Sequence, residues 1–240
     1  MVESLMLSRL DIVALAIYLS VWVVHALAAN GHIVRRVSLT TAMNAQRLAW
    51  MRTMGRRELR MIDTSIMVGL QQGTAFFASS SLIALGGCFA ILRGSDNVLA
   101  VVSDLPLTDP PSQQLFEMKV FGLIAILAYA FFKFGWSYRL FNYCSILVGA
   151  VPMHKDSLDN PAELEAAIER AARMNMLAGA HFNAGLRGIF FSIAYLGWFL
   201  NPLVFIFTTL LLFAVLLRRQ FFSEARRVAL GEEGSMAVRQ

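Results

Sequence analysis

Eight polar side chains that could bind a ligand interrupt the long apolar segments of this chain. Six lie at a similar depth when about 1.5 Å per residue is counted from the segment ends, and two lie nearer the surface. The first six are His25, Gln71, Gln72, Lys133, Asn183 and Arg187, and the other two are Arg139 and His181. Ionisable groups inside apolar segments usually face a cavity or another helix. The set predicts a cationic, amide-rich pocket that is open to the cytoplasm and binds an anionic solute or lipid headgroup. Snorkelling side chains and hydrogen bonds between helices are the alternative.

Other chemistries have weaker signals. Two histidines from different helices can ligate one haem iron. A b-type haem held by His25 and His181 is therefore a minor alternative. The other two histidines, His32 and His154, lie in predicted loops. The sequence has no His-Glu-x-x-His, no Gly-x-Ser-x-Gly and no Gly-rich phosphate loop. We therefore predict a protein that is not an enzyme and has no cofactor or bound metal.

Five apolar segments must position these side chains. Hydrophobic residues make up 57% of the 240 residues and charged residues only 15%, and the mean hydropathy is +0.59. A helix that crosses the hydrocarbon core needs roughly 20 apolar residues. We predict an all-α, polytopic transmembrane bundle that forms a single integral membrane domain over 1–240. Its five spans lie at about 10–29, 66–92, 120–141, 181–200 and 202–217.

Basic residues lie mainly on one side of these segments. Of the 21 Lys and Arg residues, only Arg9, Arg93 and Lys119 fall on the predicted outer side. The positive-inside rule then predicts an external N-terminus and a cytoplasmic C-terminus in the inner (plasma) membrane. The predicted cytoplasmic segments are 30–62, 142–180 and 218–240. This orientation requires a helical hairpin at Asn201–Pro202, because one kinked helix would export the basic tail. The net charge of +5 indicates attraction to anionic lipid headgroups, and no nucleic-acid surface is predicted.

The N-terminal segment and the cysteines limit the architecture further. Met1–Arg9 has one Arg against one Glu, so the first apolar segment is interpreted as a span and not as a cleaved signal peptide. Cys88 and Cys144 are predicted on opposite sides of the bilayer, too far apart for a disulfide.

Two predicted cytoplasmic segments have helical patterns. In the first, four apolar residues share one helical face and three arginines the other: Met43, Trp50, Met54 and Met61 against Arg52, Arg56 and Arg60. This pattern is typical of a helix in the membrane interface, or of one packed against the rest of the cytoplasmic face. In the second, Asn160-Pro161-Ala162-Glu163 predicts a helix N-terminus. That helix can continue into the fourth span, because no breaker precedes Gly179.

The second apolar segment contains small residues suited to close helix contact. Gly69 and Gly73 form a small-xxx-small step, and Gly86 and Gly87 follow. The contact could be within the chain, which we favour, or between copies of it. A homo-oligomer, or a scaffold or accessory subunit in a larger membrane complex, is the second functional hypothesis.

Two stretches resemble a known family. One runs from Arg139 to Pro152 (RLFNYCSILVGAVP), and the other begins at His181 (HFNAGLRGIFF) and continues to Gly197-Trp198-Phe199 and Asn201-Pro202. Together with the helical layout, they resemble domain-of-unknown-function family 599, a group of multi-pass membrane proteins, over nearly the whole chain. The resemblance implies no activity. It does imply that six residues are central to the family: Arg139, Asn142, His181, Asn183, Arg187 and Trp198.

Overall fold

The computed structural model describes residues 7–29, 31, 34, 36–103, 112–153 and 160–232, and all regular structure in them is helical. The helices of these residues are α1 (Arg9–Ala29), α2 (Leu39–Gly55), α3 (Met61–Arg93), α4 (Ser95–Ser103), α5 (Gln113–Ala150), α6 (Pro161–Tyr195), α7 (Gly197–Leu200), α8 (Pro202–Phe221) and α9 (Glu224–Leu230). The all-α prediction is therefore confirmed over the part of the chain that the structure describes.

Four helical segments are long and apolar enough to cross a membrane. They are α1, α3, α5 and the segment Pro202–Leu230, which contains α8 and α9. The predicted span 181–200 is not among them, and the prediction of one helix there is wrong. The structure divides it, because α6 ends at Tyr195 and α7 covers only Gly197–Leu200. The polar side chains of α6 also make it less apolar than the other long helices.

The chain reverses direction between α6 and α8. Thr208 Oγ1 donates a hydrogen bond of 2.9 Å to the carbonyl oxygen of Ala194, 14 residues earlier. A straight helix would separate these residues by about 21 Å. The side chain of Asn201 accepts a 2.8 Å hydrogen bond from the backbone N–H of Val204, and Pro202 occupies the first helical position of α8. The structure thus has the predicted hairpin at Asn201–Pro202 and not one kinked helix.

Two compact units are each assembled from three stretches of chain. The first unit consists of Met1–Ala26, Phe76–Phe134 and Asn183–Val215, and the second of Leu27–Ala75, Gly135–Phe182 and Leu216–Gln240. The long helices α3, α5 and α6 contribute residues to both units.

In the second unit, the predicted apolar face from Met43 to Met61 is wrong. Helix α2 ends at Gly55 and Met61 begins α3. Trp50 Nε1 donates a 2.7 Å hydrogen bond to the buried carboxylate of Asp63, and this contact across 13 residues requires the chain to turn between them. The predicted arginine face on the other side of the helix is also wrong, because Arg60 donates to the carbonyl oxygens of Val151 and Pro152, directly after α5.

Helix α2 packs within the second unit through its buried Met51 and Met54. Arg52 forms a 3.0 Å ion pair with Glu165 of α6, and a Cβ on Gly55 would lie 2.9 Å from Cγ1 of Ile168. These contacts support the packed alternative for α2 over a helix lying free in the membrane interface.

The predicted start of α6 is confirmed. The backbone N–H of Glu163 donates to the Asn160 side chain at 3.3 Å, and the helix continues from Pro161 to Tyr195. It passes Gly179 without a break, where the guanidinium of Arg47 occupies the space that a Cβ would need. Burial lowers the pKa of Arg47 below its usual value.

Candidate functional site

The eight predicted polar residues divide between the two units. The first unit contains His25, Lys133, Asn183 and Arg187, and the second contains Gln71, Gln72, Arg139 and His181. The two sets differ in their surroundings.

In the first unit, Lys133 and Arg187 both interact with Tyr129, and His25 lies within reach of the Arg187 charge; we refer to His25, Lys133 and Arg187 as the cationic cluster. Lys133 Nζ lies 5.4 Å from the centroid of the Tyr129 ring. Arg187 interacts electrostatically with Tyr129, and its charge also acts on the His25 ring. Asn183 is half-buried on α6, one turn before Arg187 and on the same side of the helix.

The helices that carry the cluster approach each other closely at glycines. A Cβ on Gly188 would lie 3.1 Å from Cβ of Ala130 and 3.3 Å from Cδ1 of Tyr129. A Cβ on Gly185 would lie 2.7 Å from Cε1 of Phe134. Glycines on both sides of Arg187 therefore let α6 pack against α5, which holds the guanidinium near Tyr129.

The cluster contains buried nitrogen atoms that lack hydrogen-bond partners. Arg187 Nε and His25 Nδ1 are both buried and make no hydrogen bond with the described part of the chain. The His25 side chain is only 6% exposed. Among the described residues, no carboxylate forms an ion pair with Arg187 or Lys133. Since arginine stays protonated, the cluster retains an uncompensated positive charge.

In the second unit, Gln71 takes part in a hydrogen-bond bridge between helices. Its Nε2 donates to Asn142 Oδ1 at 2.8 Å and to Ser145 Oγ at 3.1 Å. Gln72 is exposed. At Gln71 the structure therefore supports the helix-bridging alternative.

The other two candidates of the second unit lie beside aromatic side chains. Arg139 is exposed, donates from Nε to the hydroxyl of Tyr143 at 2.6 Å, and has its guanidinium 5.6 Å from the centroid of Trp136. The ring of His181 also contacts Trp136, at a centroid distance of 6.4 Å. Arg139 is therefore an exposed arginine whose side chain packs beside two aromatic rings, those of Trp136 and Tyr143.

A buried ionic network in the first unit was missed by sequence reasoning. Trp198 Nε1 donates a 2.6 Å hydrogen bond to Asp11 Oδ1, and Lys119 Nζ donates 2.7 Å to the carbonyl oxygen of Trp198. Ser8 donates from its hydroxyl to Asp11 Oδ2 at 2.7 Å. Asp11 is 5% exposed and Lys119 4%. The one sequence signal was Trp198, through the family resemblance. Nothing in the spacing pairs Asp11 with Lys119.

A pocket of about 530 Å³ lies beside this network in the first unit. Its wall is almost entirely apolar and aromatic, and α1, α5 and α7 contribute to it. The residues that define it are Leu15, Tyr18, Trp22, Phe121, Ile126 and Trp198. We call this the aromatic pocket.

The four glycines of α3 make no close contact with other helices of the described chain. A Cβ added to Gly69, Gly73, Gly86 or Gly87 would meet no atom within 4 Å. Of the most apolar 18 consecutive residues of α3, only 11% are buried, whereas the corresponding share in α5 is 33%. Contact through these glycines with another copy or another protein remains a prediction.

Metal-binding and thiol groups give no further site in the described residues. No three His, Cys, Asp or Glu side chains there are placed to hold a metal ion. His32 and His154 lie outside the described residues. The His25 ring packs against Phe191 and Phe213 at centroid distances of 6.5 and 6.4 Å, and both cysteines are buried and free.

Comparison with known proteins gives one finding. A family model described as "Protein of unknown function, DUF599" matches residues 13–225. No curated protein and no solved structure matches the chain.

Proposed function

Since the chain belongs to DUF599, a family of unknown function, we propose from its own geometry that it is a non-enzymatic multi-pass membrane protein that binds an anionic ligand at the cationic cluster. The ligand is a lipid headgroup or a permeating solute. One observation carries the proposal: Arg187 Nε is buried without a hydrogen-bond partner, beside His25 and Lys133, and no described carboxylate neutralises it.

The energetics of a half-buried arginine whose Nε is fully buried favour a bound anion. A basic side chain at the centre of a membrane helix costs about 2.5–3.5 kcal/mol on insertion scales, unless it reaches water or a partner. An anion at Arg187 would accept charge-assisted hydrogen bonds from a planar group with five donors. Lys133 and Arg187 are both half-buried, and independent snorkelling fits Lys133. It fits Arg187 less well, because Gly185 and Gly188 pack its helix tightly against α5.

We further propose that α6 crosses the membrane together with α1, α3, α5 and α8. The proposal is supported by the hydrogen bond from Thr208 to Ala194, because it packs α6 antiparallel to an apolar helix. Five crossings give an external N-terminus and a cytoplasmic C-terminus. That orientation leaves only three of the 21 basic residues on the outer side of an inner membrane.

Anion binding can be tested directly on the purified protein. The protein in a neutral detergent is titrated with inorganic phosphate and with glycerol phosphate, and binding is measured by calorimetry. Arg187→Gln should weaken binding by about 10- to 100-fold, since a hydrogen bond to a charged group contributes about 1.5–3 kcal/mol. Arg93→Gln, which removes an exposed arginine at the end of α3, should leave binding unchanged. Equal affinities for the two variants would refute the proposal.

The exposure of α3 favours a second function, that of a scaffold or accessory subunit. Its glycines meet nothing within 4 Å, and such surfaces permit close helix contact in lipid. Gly73→Ile should then reduce the size of the complex measured in native-lipid particles. Gly135→Ile, at an equally open glycine of α5, should not. An unchanged size for Gly73→Ile would exclude this face as the contact surface.

A further inference from the structure

The aromatic pocket adjoins the cationic cluster within the first unit. Trp22 lines the pocket, and its ring meets the ring of Tyr129 edge-on at a centroid distance of 5.7 Å. Lys133 Nζ lies 5.4 Å from the centroid of the same Tyr129 ring. Tyr129 is therefore the one side chain between the wall of the pocket and Lys133, and Arg187 also interacts with it.

The wall of the pocket suits a hydrocarbon chain. The hydroxyl of Tyr18 already donates to the carbonyl oxygen of Phe191 at 3.0 Å, and the indole N–H of Trp198 is used by Asp11. The wall therefore offers few free hydrogen-bonding groups to a polar ligand. Its volume, about 530 Å³, lies within the usual range of small-ligand pockets, roughly 300–1,000 Å³.

The dimensions fit one chain of one membrane leaflet. Helix α1 carries Leu15 and Trp22 in the pocket wall and His25 in the cationic cluster. From Leu15 to His25 the helix rises about 15 Å, which is about half of a hydrocarbon core of about 30 Å. A chain that starts at the level of His25 and ends near Leu15 therefore has the length of a lipid tail in one leaflet.

We infer that the ligand is an anionic phospholipid, with its headgroup at the cationic cluster and one acyl chain in the aromatic pocket. This inference rests on the proposed function and adds the class of ligand and a second group of binding residues. Basic pockets between membrane helices bind anionic headgroups. A soluble anion would pair with the same charges but would leave the adjoining pocket unfilled, whereas a lipid uses both.

The experiment tests separately whether the aromatic pocket binds the acyl chain and whether the cationic cluster binds the headgroup. Native mass spectrometry counts phosphatidylglycerol and phosphatidylcholine retained after detergent washing, and inorganic phosphate binding is measured in parallel. Ala125→Phe fills the pocket, since Ala125 lines it, and Arg187→Gln removes a charge from the cluster. Ala84→Phe adds the same bulk at an exposed position of α3 and serves as the control. Leu19→Trp narrows the pocket from α1 and replaces Ala125→Phe if that variant does not fold.

The expected pattern differs for each variant. Wild type should retain phosphatidylglycerol at least about tenfold better than phosphatidylcholine, because only the first has a net charge to pair with the cluster. Ala125→Phe should lower phosphatidylglycerol retention by about tenfold and leave phosphate binding unchanged. Arg187→Gln should lower both, and Ala84→Phe neither.

Three results would overturn the inference, and they are distinguishable. If Arg187→Gln lowers phosphate binding but Ala125→Phe leaves phosphatidylglycerol retention intact, the pocket does not hold the chain and anion binding stands. If phosphatidylcholine is retained equally well, the pocket binds lipid without discriminating between headgroups by their net charge. If Arg187→Gln changes neither measurement, the proposed function fails as well.

Discussion

Replacing Trp198 with Phe should destabilise the protein strongly, because one buried hydrogen bond is lost while the ring remains. The indole N–H donates to Asp11 at 2.6 Å, and Asp11 is only 5% exposed. The Trp198 ring stacks on Phe205 at a centroid distance of 5.3 Å and an interplanar angle of 13°, and a Phe ring keeps this stacking partner. A hydrogen bond to a charged group contributes about 1.5–3 kcal/mol. Lys119 Nζ lies 5.3 Å from the centroid of the Trp198 ring, and its weaker attraction to the smaller Phe ring adds about a few tenths of a kcal/mol. We expect a loss of about 2–3 kcal/mol.

The loss can be measured by unfolding in mixed micelles. Titration with sodium dodecyl sulfate, followed by far-UV circular dichroism, should show an unfolding constant about 30- to 150-fold larger for Trp198→Phe, since each 1.4 kcal/mol corresponds to about tenfold. Trp136→Phe makes the same chemical change at a side chain that is 46% exposed. Its cost should stay below about 1 kcal/mol, because only exposed ring contacts weaken.

A double-mutant cycle identifies the bond itself. If Trp198 acts through Asp11, then Trp198→Phe and Asp11→Asn should be coupled by at least about 1 kcal/mol, because contacting residues are not additive. Equal costs for Trp198→Phe and Trp136→Phe, or additivity within about 0.5 kcal/mol in the cycle, would refute this account of the network.

Four further predictions follow, three measured by the same micelle titration and one by a reporter fusion. Gly197→Ala should cost about 1–3 kcal/mol, because its Cβ would lie 3.2 Å from Cα of Phe205; no loss would mean that the hairpin is not packed there. Gly86→Ala should stabilise by up to about 1 kcal/mol, and a loss would instead indicate that another chain covers α3. Arg60→Met leaves carbonyl groups at the end of α5 unpaired and should cost about 1.5–3 kcal/mol, a loss that Arg60→Lys should partly restore. Alkaline phosphatase fused after Leu230 should be inactive if the C-terminus is cytoplasmic, and an active fusion would overturn the proposed orientation.

Local signals in the sequence predicted much of the helical layout. Apolar run length identified α1, α3, α5 and α8, because a membrane helix needs a minimum apolar length. The hairpin was predictable because Asn201 and Pro202 are a capping amide and a first-turn proline, whose effects depend only on neighbouring residues. Counting residues along straight helices also grouped His25, Lys133 and Arg187, which belong to one compact unit.

Contacts that depend on helix rotation or on distant residues were not predictable. Counting depth does not determine which way a side chain points, so Gln71 bridges helices while Gln72 is exposed. The bond between Trp198 and Asp11 joins residues 187 positions apart, and no periodicity connects them. The predicted apolar face included Met61 although α2 ends at Gly55. Periodicity alone does not detect the turn that brings Trp50 to Asp63.

The most direct test of anion binding at the cationic cluster is a structure determined in lipids retained from the native membrane. If the cluster binds an anionic phospholipid, density for an anionic group should place an oxygen about 3 Å from the guanidinium of Arg187 and continue as a chain past Trp22 into the aromatic pocket. A cluster that contains only water, with Arg187 and Lys133 extending separately to headgroups at the ends of their helices, would contradict it.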